Sequence, residues 1–105
     1  MANIYTNAKV DLTTTNATTL YTAPSNSRAI IKSLLVSNDA GSAATITATL
    51  TNAASAVFSL FNVKSIASNA SEQLLTEPLV LLENEILKVT ASDANELHVV
   101  ASILE

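Results

Sequence analysis

From Ala44 to Thr51 the chain reads A-T-I-T-A-T-L-T, a strict alternation of threonine with apolar residues. Side chains of an extended strand point to opposite faces in turn, so Thr45, Thr47, Thr49 and Thr51 share one face. Ile46, Ala48 and Leu50 then share the other. A period of two is the pattern of a strand with one face in a core and the other in water. The competing reading is helical, because Ile46, Leu50, Ala53, Val57 and Phe61 recur at spacings of three and four residues. Against it stand the four threonines, Asn52 and Ser55, which lose rotamer freedom or compete for backbone hydrogen bonds inside a helix. The strand is the better reading.

The rest of the chain repeats this theme. About eight short strands are predicted, over residues 4–12, 17–22, 28–38, 44–52, 56–66, 72–82, 86–91 and 97–104. Polar breaks separate them at intervals of roughly 8–12 residues, which is the signature of an all-β sandwich or barrel. Ile30, Ile31, Leu34, Leu35 and Val36 make 28–38 densely apolar, as a central strand would be. Pro78 lies inside 72–82 and demotes that part to an edge, a bulge or a change of sheet. Residues 38–42 read as a hairpin turn around Gly41, the only glycine. Asn26, Asn38, Asn52, Asn69, Asn84 and Asn95 all fall in breaks, where asparagine tolerates the left-handed conformation that tight turns need. The expected fold is a single antiparallel β-sandwich domain over 1–105, jelly-roll-like, with 1–11 as an N-terminal arm or edge strand.

Charge limits what such a domain does. Only 13% of the residues are charged and 49% are apolar, against roughly 25% charged in an average chain. A monomer of this mass exposes on the order of 5,600 Å², and fourteen formal charges cover that surface thinly. A subunit partly hidden against neighbours fits this composition. A net charge of −4, with Lys9, Arg28, Lys32, Lys64 and Lys88 scattered, argues against direct nucleic-acid binding. No apolar run approaches the ~18 residues of a membrane span, and the first residues lack the basic and apolar regions of a secretory leader.

Catalytic chemistry finds few candidates. There is no cysteine and one histidine, His98, so a conventional zinc site lacks ligands. His98 in its strand reads as a surface or interface side chain rather than a general base. No serine elbow and no glycine-rich phosphate loop are present. Asp93, Asn95 and Glu96 share one loop and Glu83, Asn84 and Glu85 another, but neither has the ligand density of a calcium loop. The reading is a protein that is not an enzyme and carries no cofactor. A carbohydrate-binding module is a weaker alternative, because the chain has no tryptophan and four aromatic residues in all.

The positive signal lies in the strand faces. In the last strand Leu97, Val99, Ala101 and Ile103 fall on one side and Val100 and Leu104 on the other, so both are apolar. Residues 78–82 are likewise apolar on both sides. A two-layer sandwich should show polar outer faces, so either a neighbouring subunit or a tightly wound core covers the second one. The interface candidates are Ile4, Tyr5, Leu79, Leu81, His98, Val100 and Leu104. Open edge strands and the N-terminal segment are expected to reach neighbours by strand addition.

Several stretches also carry a resemblance. They are Thr19-Leu20-Tyr21-Thr22-Ala23-Pro24, Ala29-Ile30-Ile31-Lys32-Ser33-Leu34 and N-D-A-G-S-A-A-T-I-T from Asn38 to Thr47. Glu72-Gln73-Leu74-Leu75, Pro78-Leu79-Val80-Leu81, Leu87-Lys88-Val89 and residues 99–105 continue it. Over residues 18–105 the chain resembles small virion structural proteins of tailed bacteriophages. The resemblance implies a β-sandwich that serves as a capsid decoration (cement) subunit, or as a head–tail or tail component. It implies no active-site residue. As a cement protein the chain would form a homo-oligomer, a trimer, seated on the phage major capsid protein where capsomers meet. It would belong to the virion, assembled in the host cytoplasm. Where similar sequences tend to have glycine in turns, this one has Asn26 and Asn84.

Overall fold

A computed structural model describes residues 5–75 and 77–105. These residues form nine strands and no helix: β1 (Tyr5–Asp11), β2 (Thr18–Thr22), β3 (Ala29–Asn38), β4 (Ala44–Thr51) and β5 (Val57–Ile66) come first. They are followed by β6 (Ser71–Gln73), β7 (Leu79–Leu81), β8 (Ile86–Ala91) and β9 (Leu97–Leu104). The alternating segment is β4, and Ile46 and Ala48 are fully buried while the intervening threonines are half-buried on the opposite face. No helix among the described residues is long and apolar enough to cross a membrane.

Two antiparallel sheets pack face to face. One has the order β1-β9-β3-β6, with β7 also on β3; the other is β2-β8-β4-β5. Apart from the β4–β5 hairpin, successive strands change sheets in the manner of a jelly roll, with the sixth position split in two. Pro78 accounts for the split. The predicted strand over 72–82 is interrupted, and its two three-residue pieces both pair with β3 at the sheet edge, where a missing donor costs least. Nine strands therefore stand where eight were expected.

The core lies between the sheets. Ile31, Leu34 and Val36 of β3 meet Ile103, Ala101 and Val99 of β9 across the first sheet. Ile46 and Ala48 of β4 meet Ala91 and Val89 of β8 across the second. Each fully buried Leu or Ile here contributes roughly 2 kcal/mol of transfer free energy.

The breaks differ from the prediction in two ways. Residues 38–42 do not close a hairpin, because β3 and β4 lie in different sheets. Asn38 holds this arch. It is 2% exposed, and its side-chain amide donates to the Ser42 carbonyl (2.9 Å) and the Ile66 carbonyl (3.3 Å) while its Oδ1 accepts from the Ala40 amide (2.9 Å). Gly41 has no positive φ and no heavy atom within 4 Å of the position a Cβ would take. Asn26, Asn69, Asn84 and Asn95 do adopt φ values of 55–64°. Asn38 and Asn52 do not. Asn52 instead accepts the amides of Ala54 and Ala56 on its Oδ1, and Ser55 takes the left-handed position in that turn.

Candidate assembly interface

The outward faces of the two sheets differ in chemistry. On the β2-β8-β4-β5 sheet the ladder sets Thr47 beside Thr90 and Thr49 beside Lys88, and Thr45, Thr49 and Thr51 continue the same face. Threonine is at ease on a solvated pleat. On the other sheet the register aligns a row across four strands: Tyr5 of β1, Leu104 of β9, Ile30 of β3 and Val80 of β7. Tyr5 is 73% and Val80 51% exposed. Past an intervening row of Asn7, Ser102 and Ser33, Lys9, Val100, Leu35 and Gln73 lie side by side. Leu35 and Val100 are exposed too. An apolar row open to water on the outer face of a sandwich is the arrangement that a covering partner stabilises.

Of the predicted interface residues, Tyr5, Val100 and Leu104 lie on this face, and Ile4 falls outside the described residues. Leu79 and Leu81 do not lie on it. The register of β7 on β3 sets Leu81 opposite Ala29 and Leu79 opposite Ile31, both turned inward, and Leu81 is 0% exposed. Val80, between them, carries the outward contact instead. Parity on a three-residue strand beside a proline has no alternation to reveal it, and only pairing with β3 fixes it. Ile30, Leu35 and Val80 are thus the apolar residues of this face that periodicity missed.

His98 sits at the far end of the same face, between two carboxylates. Its Nδ1 is 3.3 Å from Asp11 Oδ1 and its Nε2 is 3.2 Å from Asp39 Oδ2. The ring ties β1 to the β3–β4 arch through β9. All three side chains are substantially exposed, which keeps the net contribution of the cluster small.

The β5 edge presents a second exposed apolar group: Val57, Phe58 and Val63. Its register on β4 is irregular at two points. Val63 has φ 54°, and its amide donates to Thr47 Oγ1 at 3.1 Å. Bulges of this kind twist an edge away from strand addition.

A cleft of about 620 Å³ opens between the β2–β3 and β7–β8 turns, where Asn26, Arg28, Glu83 and Glu105 meet. The Asn26 amide donates to Glu83 Oε2 at 2.6 Å. Nearby, the Tyr21 hydroxyl donates to Glu105 Oε2. Burial, and then the Glu105 carboxylate, hold the Tyr21 phenol well above its ordinary value of 10.0. Among the described residues, no group of three or more His, Cys, Asp or Glu side chains is placed to hold a metal ion.

The sequence matches no protein-family model and no curated protein. Solved structures do resemble it. One is a protein of Bacillus endospore appendages, described as a novel family of disulfide-linked pili, with a TM-score of 0.61 at 12% identity. That likeness covers 97% of this chain and 86% of the other. A protein of infectious bursal disease virus, Gt strain, gives a TM-score of 0.47 at 10% identity, over 99% of this chain and 30% of that one. At these identities the first likeness speaks to the fold.

Proposed function

We propose that this chain is a structural subunit of a larger assembly, specifically a bacteriophage virion protein that decorates the capsid and bridges capsomers. The observation that carries this reading is the apolar row Tyr5–Leu104–Ile30–Val80 on the outside of one sheet, opposite a threonine-covered face on the other. The first face is suited to contact, and the second faces water except at its β5 edge, where Val57 stands exposed opposite Thr51. Such a subunit acts without a chemical step and is not an enzyme. Several weak contacts made by one oligomer hold a shell by avidity, and the trimer implied by the sequence resemblance would sit where capsomers converge.

A second reading, a tail or appendage component, draws support from the likeness in fold to the spore-appendage protein along nearly the whole chain. That protein belongs to disulfide-linked pili. With no cysteine of its own, this chain would have to be joined to its neighbours by packing and hydrogen bonds alone.

Imaging of labelled particles tests both. Density on the shell, with raised resistance of empty shells to heat, supports the decoration reading. Label confined to a tail or filament supports the second. Replacement of Tyr5 and Val80 by serine should abolish attachment while leaving the melting temperature close to that of the parent; attachment that survives would remove the row from the interface.

A further inference from the structure

Among the described residues, four of the five edge strands are protected against pairing with another chain. β6 and β7 are three residues long, β2 carries one irregularity, and β5 carries two together with the left-handed Val63. β1 differs. Its seven residues run in unbroken register along β9.

The phase of its hydrogen bonds follows from one contact. The Leu12 amide donates to the Leu97 carbonyl at 3.0 Å, and Leu12 continues the register that pairs Val10 with Val99. In an antiparallel ladder, hydrogen-bonded pairs alternate with non-bonded ones. Thr6, Ala8, Val10 and Leu12 therefore turn their peptide groups to β9. Tyr5, Asn7, Lys9 and Asp11 turn theirs to the open side.

A second copy can add to that side only with odd positions facing odd positions. For a two-fold contact, the axis then falls on one of a few residues. An axis at Lys9 sets two lysines directly opposite, which is destabilising. One at Asn7 sets Lys9 opposite Tyr5 and leaves Asp11 beyond the paired residues, and one at Ala8 leaves the lysines diagonal to each other and the aspartates facing tyrosine. An axis at Val10 pairs residues 8–12 and sets Lys9 opposite Asp11 of the other copy, twice, with the two Val10 side chains in contact on the core side. Asp11 reaches His98 through Oδ1, which leaves Oδ2 for the lysine. A shallow depression bounded by Lys9, Asp11, His98 and Val100 opens beside this edge and has room for the incoming side chain.

We infer that the partner of the β1 edge is a second copy of this chain, added antiparallel about a two-fold axis at Val10 with Lys9 and Asp11 reciprocally paired. The inference rests on the assembly reading above and names one contact within it. The two sheets become one continuous sheet, and the apolar outer face remains available for other partners.

Sedimentation equilibrium on the full chain tests the contact. Lys9→Asp sets acid against acid and Asp11→Lys sets base against base, and each should weaken association about tenfold or more. The double variant Lys9→Asp, Asp11→Lys should restore it. Asn7→Pro removes an open-side amide that lies outside the paired residues 8–12, so it should leave association unchanged, whereas a contact about Asn7 or Ala8 would be lost. A parent chain that stays monomeric at tens of micromolar, association that ignores the charge reversals, or association lost with Asn7→Pro overturns the contact. Particle attachment of the same proteins separates the two readings. A monomer that still decorates particles refutes the β1 contact alone, and a reciprocally paired dimer that attaches to nothing refutes the virion role alone.

Discussion

The hydroxyl of Tyr21 on β2 donates to the carboxylate of Glu105, just past β9, and so joins the two sheets at one end of the sandwich. Burial of the phenol and its negative partner both favour the protonated form. A phenol that holds its proton more tightly when folded contributes stability that is complete below about pH 10 and is lost as pH rises beyond it. Tyr21→Phe should cost about 1 kcal/mol at neutral pH. Urea unfolding of both proteins from pH 7 upward should show that gap narrowing above pH 10.

Ile31 and Ile103 face each other across β3 and β9 with essentially no exposure. Ile31→Ala removes buried methyl groups and leaves a cavity that close-packed strands cannot fill, so a loss of about 3 kcal/mol is expected. Thr49, opposite Lys88 on the threonine face, has water to replace what it loses, and Thr49→Ala should cost under about 1 kcal/mol. Denaturant midpoints at constant m-value check both.

Much of this architecture is legible where alternation is long. In β4, β8 and β9, periodicity alone separates inward Ile46, Leu87 and Val99 from outward Thr47, Lys88 and Val100. It fails where a strand is too short to alternate, as at Leu79 and Leu81 beside Pro78. It also fails where sheet membership decides. Nothing local to residues 38–42 distinguishes a hairpin from an arch, because the answer depends on which distant strands claim β3 and β4. The cluster of His98, Asp11 and Asp39 is hidden for the same reason. Those residues are neighbours only through the pairing of β1 and β9 and the position of the arch.

Gly41 is a position where composition misleads. As the only glycine it reads as a conformational necessity, yet it has no positive φ and open space around its Cα. Glycine there only adds conformational freedom to the unfolded chain. Gly41→Ala should raise stability by about 0.5 kcal/mol, visible as a higher urea midpoint. Asn84→Ala, at φ 64°, should do the reverse, because a Cβ without a local hydrogen bond is strained in that region.

Val63 is the strongest departure from local preference among the described residues. The other non-glycine residues with positive φ are four asparagines and a serine, which adopt that region at modest cost. A β-branched side chain there crowds its own backbone, at a cost of about 1–2 kcal/mol. The irregular register of β5 on β4 imposes the conformation, and Val63 gains little burial in return, since it is 61% exposed. Val63→Asn should therefore stabilise the isolated chain by about 1 kcal/mol. Val57→Asn is the control, since Val57 is equally exposed on the same strand but has no positive φ. If both substitutions have the same effect in urea unfolding, the gain comes from removing surface valine and the strain at Val63 is absent. If only Val63→Asn gains, the bend of β5 is held against the preference of its own sequence. The edge is then kept closed to strand addition at a measurable cost in stability.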